Sequence, residues 1–177
     1  YIQGDLRLGY EVHGSGFPIL LIAPGGLRSE RGMWQHSPLN PVALLSPHFQ
    51  VISMDQRNAG ASSGPIESDH DWDTYTRDQL DLMSHLGFER FAVVGMCIGG
   101  PYILNLLKLA PQRVVASVVM QTIGRDNNRQ GTRQSGAACA GPGGRQSATI
   151  GWAVGTAVGT AVGTAIGVAH SGRWVGW

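Results

Sequence analysis

The chain has 177 residues, of which 42% are hydrophobic, and a net charge of +1, so it is long enough for one domain with a core. Its composition excludes collagen-like, strongly acidic, strongly basic and disulfide-stapled proteins. The small net charge conceals a division. All 12 acidic residues precede position 127 and leave that part at net −3, whereas residues 127–177 carry four arginines and are net +4.

The two cysteines, Cys97 and Cys139, are too few for a disulfide framework. The first residues do not form a charged start followed by an apolar run, which a secretory signal would need. We therefore expect a cytoplasmic protein. Because the chain begins at Tyr1 and residues 2–12 already have a strand pattern, we also expect that a short N-terminal piece precedes it.

The first predicted elements are strands. Leu6, Leu8, Tyr10 and Val12 alternate with polar or small residues, which predicts a half-buried strand that ends in a glycine turn. Short continuous apolar runs then predict strands that are buried on both faces. These runs are residues 19–23, 51–54, 91–94 and 114–120.

Two segments between these strands have apolar residues at helical spacing, one from Tyr75 to Leu86 and one from Tyr102 to Ala110. Strands and helices therefore alternate along the chain. This order predicts an α/β fold with a mostly parallel sheet and helices on its faces. In such folds, ligands bind beyond the carboxyl ends of the strands.

The alternation of predicted strands and helices ends near Asn128. Residues 131–145 have no apolar period and predict an irregular or disordered Gly/Ala-rich tail. Residues 151–170 follow as the tetrapeptide repeat GWAV GTAV GTAV GTAI GVAH, inside an uncharged run from 146 to 172. We expect two parts, residues 1–128 and residues 129–177.

The segment that carries chemistry is FAVVGMCIGGPYILNLL, in which a buried strand passes through G-M-C-I-G-G into an apolar-faced helix. A cysteine at the tip of this tight turn is in the position of a nucleophile. Glycines are needed at 95 and 99 because strand and helix approach closely there. The helix dipole favours the thiolate of Cys97, and the backbone N–H of Ile98 would face a developing oxyanion.

Residues 5–128 resemble the first half of the α/β-hydrolase superfamily. The resemblance lies in GMCIGG, in ILLIAPGGL at residues 19–27, and in VISMDQRNAGASSG at residues 51–64. The cysteine makes the turn similar to the dienelactone-hydrolase-like minority. The resemblance implies acyl transfer to water through a covalent intermediate, with an ester, thioester or lactone as substrate and with neither a metal nor an organic cofactor.

The resemblance also implies roles for single residues. The backbone N–H of Gly26 or Leu27 would be the second oxyanion donor beside Ile98. Trp34 and Trp72 lie in loops that would overhang the site, where they could line an acyl pocket or simply pack. Asp55 and Arg57 are expected to order their loop rather than react.

A nucleophile of this type needs a base and an acid that follow it in the chain. After Cys97 the only acidic residue is Asp126, which is a weak candidate for the acid. A structural role in a turn explains this aspartate equally well. The only later histidine, His170, lies at the end of the repeat, where a base is not expected. We therefore expect an incomplete hydrolase with weak or no activity, whose uncovered sheet edge favours self-association or aggregation.

Three accounts of the tail remain open. In the first, it replaces the second half of a hydrolase through out-of-frame translation, deletion or misassembly. The glycines of the repeat also form a G-x-x-x-G pattern, which would suit a tail-anchored membrane protein, although threonine and glycine leave the run only marginally apolar. The third account is a flexible tail on a non-catalytic binding protein. A small-molecule substrate is the expected partner, and nucleic acid and membrane are not.

Overall fold

A computed structural model describes residues 1–37 and 39–123, together with the backbone of three short strands after residue 150. The strands are β1 Ile2–Gln3, β2 Leu6–Arg7, β3 Tyr10–His13, β4 Pro18–Ile22, β5 Gln50–Met54, β6 Phe91–Met96, β7 Val114–Met120, β8 Gly155–Thr156, β9 Val168–His170 and β10 Arg173–Val175. The helices are α1 Pro41–Leu45, α2 Trp72–His85 and α3 Gly99–Leu109, and 3₁₀ helices span Gly26–Arg28 and Arg31–His36.

The main sheet has the strand order β3-β5-β4-β6-β7-β8. Strands β5, β4, β6 and β7 are parallel, while β3 pairs antiparallel with β5 at one edge. The predicted α/β fold with a mostly parallel sheet flanked by helices is confirmed. Because the parallel strands end at the same edge, the loops after β4, β6 and β7 meet there.

The central strands are buried because helices cover both faces of the sheet. All five residues of β4 are buried, as are the last four residues of β5. One hydrophobic cluster joins the sheet to α2 and α3 through residues that include Leu82, Tyr102 and Leu106. A second cluster on the opposite face contains Trp34 of the 3₁₀ helix Arg31–His36 and is packed against by Val42 of α1.

The single opening strand that the alternation predicts is divided in the structure. Leu8 and Gly9 separate β2 from β3, and a Cβ atom on Gly9 would lie 2.8 Å from Asp55 Oδ2 and 2.9 Å from Ala61 Cβ. The Gly9 carbonyl accepts a hydrogen bond from the Asp55 backbone N–H at 2.9 Å. The loop after β5 therefore leaves no room for a side chain at position 9.

The described part of the tail consists of backbone only. β8 pairs antiparallel with β7 at Ala116 and Ser117, and β9 pairs with β10. The tail predicted as irregular thus contains three strands of two or three residues, and β7 has a partner at part of its outer edge. The predicted boundary at 128/129 lies outside the described residues.

The membrane alternative depends on the repeat at 151–170, most of which also lies outside the described residues. Among the helices that the structure describes, none has the length and apolar character needed to cross a bilayer.

Candidate active site

Cys97 occupies the sharp turn between β6 and α3. Its φ is +56°, in the left-handed region that residues with a Cβ rarely adopt. Its backbone N–H donates to the Met120 carbonyl at 3.0 Å, and its carbonyl accepts from Gly100 at 3.1 Å and from Ile123 at 3.4 Å. Hydrogen bonds on both sides therefore hold Cys97 in a strained conformation, which is often found at functional sites.

The turn depends on close contacts that only glycine permits. A Cβ on Gly95 would lie 3.0 Å from the Gly99 backbone, and a Cβ on Gly99 would lie 2.8 Å from the Ile22 carbonyl oxygen. A Cβ on Gly100 would overlap the Thr122 hydroxyl at 1.9 Å. The close approach predicted at Gly95 and Gly99 is confirmed.

Alanine at position 99 should therefore destabilise the fold. The new methyl group would press on the backbone of β4 at Ile22, which cannot rotate away, so we expect a loss of about 1–3 kcal/mol in the free energy of unfolding. Gly32 is the matched control, because the nearest atom to its added Cβ is Glu30 Oε1 at 3.8 Å. Urea denaturation measures the free energy of unfolding of Gly99→Ala and of Gly32→Ala, and equal values would contradict the packing argument.

The strain at Cys97 makes a separate prediction about stability. Cys97→Gly should unfold with a free energy about 0.5–1 kcal/mol higher than Cys97→Ala. The left-handed conformation costs a residue with a Cβ about 1–2 kcal/mol, which exceeds the roughly 0.4–1 kcal/mol of extra chain entropy that glycine loses. Urea denaturation compares the two variants directly. An alanine variant as stable as the glycine variant would show that residue 97 is not strained.

The predicted oxyanion donors lie on two segments at one edge of the sheet. Ile98 precedes α3 with a φ of −60°, and among the described residues its backbone N–H has no acceptor. Gly26 and Leu27 belong to the 3₁₀ helix that follows β4, and Leu27 is 80% exposed. Because Ile22 of β4 pairs with the strand residue two before Cys97, both segments begin at the same level of the sheet.

The segment after β7 is a neighbour of Cys97 that sequence reasoning missed. Gln121 has a φ of +44°, which turns the chain back toward α3. The Ile123 N–H then reaches the Cys97 carbonyl, and Thr122 packs against Gly100. Because these contacts involve backbone atoms and a close approach, the residue pattern does not predict them. It predicts only that the strand ends at Met120.

The two tryptophans are on opposite sides of the sheet. Trp34 is 1% exposed and packs in the core cluster with Leu21 and Val94. Trp72 begins α2, is 46% exposed, and places its ring edge-on to Tyr102 of α3 with 5.2 Å between centroids. Of the two, only Trp72 has much ring surface that a bound molecule could contact.

Asp55 lies at the end of β5 and organises the adjacent loops. Its carboxylate is buried and accepts from the backbone N–H of Arg31 at 2.7 Å and of Ala61 at 2.9 Å. The Arg31 guanidinium approaches the same carboxylate at 3.3 Å. All of these contacts fix chain segments, in agreement with the predicted ordering role.

Arg57 is held by Asp78 of α2 through two hydrogen bonds. Arg57 Nε donates to Oδ2 at 2.8 Å, and the terminal nitrogen donates to Oδ1 at 2.7 Å. This hydrogen bonding raises the pKa of Arg57 above its ordinary value, against a smaller opposing effect of burial. Arg57 therefore ties the loop after β5 to α2, and its charge is committed to that contact.

The predicted acid candidate, Asp126, lies outside the described residues, and so does the side chain of His170. The histidines of the described part precede Cys97 in the chain, and two of them make side-chain hydrogen bonds there, His13 with Glu11 and His70 with the Glu67 backbone N–H.

One group of potential metal ligands occurs among the described residues. Oxygen or nitrogen atoms of Glu67, Asp69 and His70 lie within 4.8 Å of one another in the loop before α2. Both carboxylates are exposed. Acidic surface groups of this kind are common without a metal, so we assign the cluster no metal role.

Comparison with known proteins gives one family and several partial relatives. The model of the alpha/beta hydrolase fold matches residues 18–151. A Synechocystis sp. protein named as a non-heme chloroperoxidase is 34% identical over 115 residues, 64% of this chain and 40% of the relative. The carboxylesterase YbfK of Bacillus subtilis is 31% identical over 106 residues, 58% of this chain and 33% of that protein.

Among solved structures, a thermophilic esterase from Thermogutta terrifontis has a TM-score of 0.61 and 24% identity. The similarity covers 73% of this chain and 45% of the esterase. The chain spans about two fifths of the length of the first curated relatives it matches.

Proposed function

The chain belongs to the alpha/beta hydrolase fold family, and on this basis we propose that it carries the nucleophile half of a hydrolase for a small ester, thioester or lactone. The observation that carries the proposal is the conformation of Cys97. A non-glycine residue at φ +56° stands between a buried strand and a helix N-terminus, and glycine contacts on both sides preserve the turn. This is the geometry in which the family exposes a nucleophile.

The proposed reaction begins with the Cys97 thiolate. Its sulfur attacks the carbonyl carbon of the substrate, and the carbonyl oxygen becomes an oxyanion. The Ile98 N–H, together with that of Gly26 or Leu27, would donate to this oxyanion. The carbon–oxygen bond to the leaving alcohol then breaks, the alcohol takes up a proton, and a thioester to Cys97 remains.

Water completes the cycle. It attacks the thioester carbonyl, the carbon–sulfur bond breaks, and the products are a carboxylic acid and the Cys97 thiol. Trp72 would contact the acyl or alcohol part of the substrate through its exposed ring, whereas Trp34 is buried on the opposite side of the sheet and is given only a packing role. The proposal assigns no base, and we expect a slow second step as a result.

Covalent trapping tests the proposed nucleophile. When p-nitrophenyl acetate is mixed with the full chain, p-nitrophenolate should be released and an acetyl thioester should accumulate on Cys97, because deacylation lacks a base. Mass spectrometry of proteolytic peptides locates the acetyl group. The second cysteine, Cys139, provides the internal control, since its segment lacks the strand–turn–helix context.

Three outcomes separate the candidates. Acetylation confined to Cys97 supports the hydrolase. Equal acetylation of Cys97 and Cys139 would show only ordinary thiol reactivity. Binding of the ester without acetylation or product release would favour a non-catalytic binding protein of the same fold.

A further inference from the structure

Apolar side chains lie on both sides of the nucleophile turn. Cys97 is half-buried, and so are its neighbours Met96 and Ile98. The Met96 side chain packs against the core cluster on one face of the sheet, and the Ile98 side chain packs against the cluster on the other face. The turn therefore places Cys97 between two apolar side chains, each of which still has surface in contact with water.

Two loops beside the turn add further aliphatic surface. Ile123, in the loop after β7, is 37% exposed, and its backbone nitrogen lies 3.4 Å from the Cys97 carbonyl oxygen. Leu27, in the loop after β4, is 80% exposed. The end of β4 reaches the same turn, because a Cβ on Gly99 would lie 2.8 Å from the Ile22 carbonyl oxygen. Exposed aliphatic surface gathered beside one reactive group is typical of a ligand-binding groove.

Two hydroxyl groups next to this surface are already hydrogen-bonded within the chain. Thr122 Oγ1 donates to the Ile123 carbonyl at 3.3 Å, and Ser37 Oγ donates to Met96 Sδ at 3.9 Å. Hydroxyl protons used in this way are not offered to a polar acyl group, whereas the aliphatic surface is stabilised when an apolar chain covers it.

We propose that Leu27, Met96, Ile98 and Ile123 form an apolar rim that receives the acyl chain of the substrate. The preferred substrates are then uncharged straight-chain acyl esters such as hexanoates rather than acetates. This inference rests on the function proposed above, because Cys97 must be the group that accepts the acyl chain. A methylene group that leaves water completely strengthens binding about fourfold, and one that the rim covers on one side strengthens it about twofold.

Two p-nitrophenyl esters that differ in acyl length test the rim on the full chain. The hexanoate has four more methylene groups than the acetate, so at low concentration it should acylate Cys97 about tenfold faster. Each rate is divided by the rate of the same ester with glutathione, which removes the difference in intrinsic reactivity. Mass spectrometry of proteolytic peptides measures the acyl groups on Cys97. Equal corrected rates would overturn the proposal.

A third ester separates an apolar occupant from an anionic one. Arg28 follows Leu27 in the chain and is exposed, so it is the cation that a carboxylate at the end of the acyl chain would meet. The mono-p-nitrophenyl ester of adipic acid has the length of the hexanoate and carries that carboxylate. It should react about tenfold more slowly than the hexanoate, because an apolar rim does not replace the water around a carboxylate. A faster reaction would contradict an apolar occupant.

Serine substitutions locate the preference. Leu27→Ser and Ile123→Ser should each lower the ratio of the hexanoate rate to the acetate rate about threefold or more, since each removes part of the rim. The ratio is the readout because a change in thiol reactivity affects both esters equally. Far-UV circular dichroism checks folding, and the high exposure of Leu27 keeps its variant informative if Ile123→Ser does not fold. A ratio that neither substitution changes would refute the rim.

Leu109→Ser is the matched control for these variants. Leu109 is 40% exposed at the other end of α3. That end lies roughly 15 Å along the helix from Gly99. The substitution should leave the ratio of the two rates unchanged, and a loss as large as that of Ile123→Ser would show that the preference does not come from the rim.

Alkyl methanethiosulfonates distinguish failure of the rim from failure of the hydrolase. The Cys97 thiolate attacks the thioalkyl sulfur, methanesulfinate leaves, and a mixed disulfide forms, so no ester chemistry is involved. After the same correction with glutathione, the hexyl reagent should label Cys97 about tenfold faster than the methyl reagent, whereas Cys139 should show no preference. Esters that leave Cys97 unmodified while this preference holds would refute the hydrolase and retain the rim. No preference for the hexyl reagent would refute the rim.

A second copy of the chain is the other occupant that an exposed apolar surface attracts. Sedimentation velocity at the concentration used with the esters measures the oligomeric state. A monomer, or an oligomer that Leu27→Ser leaves intact, supports the rim as the acyl site. An oligomer that Leu27→Ser dissociates, together with equal rates for the acetate and the hexanoate, would assign the surface to self-association instead.

Discussion

Replacing Cys97 by alanine should lower the release of p-nitrophenolate from p-nitrophenyl acetate to the rate of buffer and should abolish the acetyl thioester. The substitution removes the atom that forms the covalent intermediate, so no acylation remains. Alanine retains the Cβ at the strained turn, so the fold should persist. Release of p-nitrophenolate, followed by absorbance, measures the rate.

Two further variants make the result specific. Cys139→Ala removes the other thiol and should leave the rate within about twofold of the unsubstituted chain. Cys97→Ser keeps a similar shape but presents an alcohol, which needs a base to remove its proton, so it should be nearly as slow as the alanine variant. A Cys97→Ala protein that hydrolyses the ester at the unsubstituted rate would refute the proposed nucleophile.

Removing one partner of the Arg57–Asp78 pair should cost about 3–5 kcal/mol in the free energy of unfolding. The Arg57 and Asp78 side chains are 11% and 4% exposed, and two hydrogen bonds join them. In Arg57→Ala the Asp78 carboxylate would remain buried without its cation. This loss is a large part of the roughly 5–15 kcal/mol that stabilises a typical domain. Urea denaturation of the full chain measures it.

An exposed pair provides the control. Lys108 and Asp73 are 3.9 Å apart, and the lysine side chain is 69% exposed. Water screens such a pair, so Lys108→Ala should change the free energy of unfolding by less than about 1 kcal/mol. Arg57→Lys should lose part of the stability, because lysine keeps the charge and not the two-pronged geometry. Similar losses in the free energy of unfolding for Arg57→Ala and Lys108→Ala would contradict the argument that burial makes the Arg57–Asp78 pair stabilising.

The central sheet could be predicted because its strands are short continuous apolar runs, although β7 was wrongly expected to be buried on both faces: only its two end residues are buried. The apolar runs at 19–23, 51–54 and 114–120 correspond to β4, β5 and β7, with boundaries that agree within a residue. The sequence did not predict α1, because five residues are too few to show a helical period. Its start follows from local chemistry instead, since Asn40 accepts hydrogen bonds from two backbone N–H groups and Pro41 occupies the first turn.

The candidate site was only partly predictable for a different reason. Cys97 and its flanking glycines are close in sequence, so their spacing alone predicts the tight turn. The contact between Cys97 and Ile123 joins backbone atoms of two separate strand ends, and Trp34 and Ser53 become neighbours of one cavity only through packing. Side-chain identity encodes neither arrangement, so tertiary structure was needed to find them.

The central position of β4 has a consequence for synthesis of the protein. β4 is the first of the parallel strands to be made, yet its neighbours β5 and β6 come later in the chain. The buried segment PILLI cannot complete its pairing until Met96 has left the ribosome. Until then at least one edge of this fully apolar strand is unpaired, which slows folding and exposes the nascent chain to aggregation. A chaperone that binds short extended apolar segments would therefore find its first target at residues 18–22.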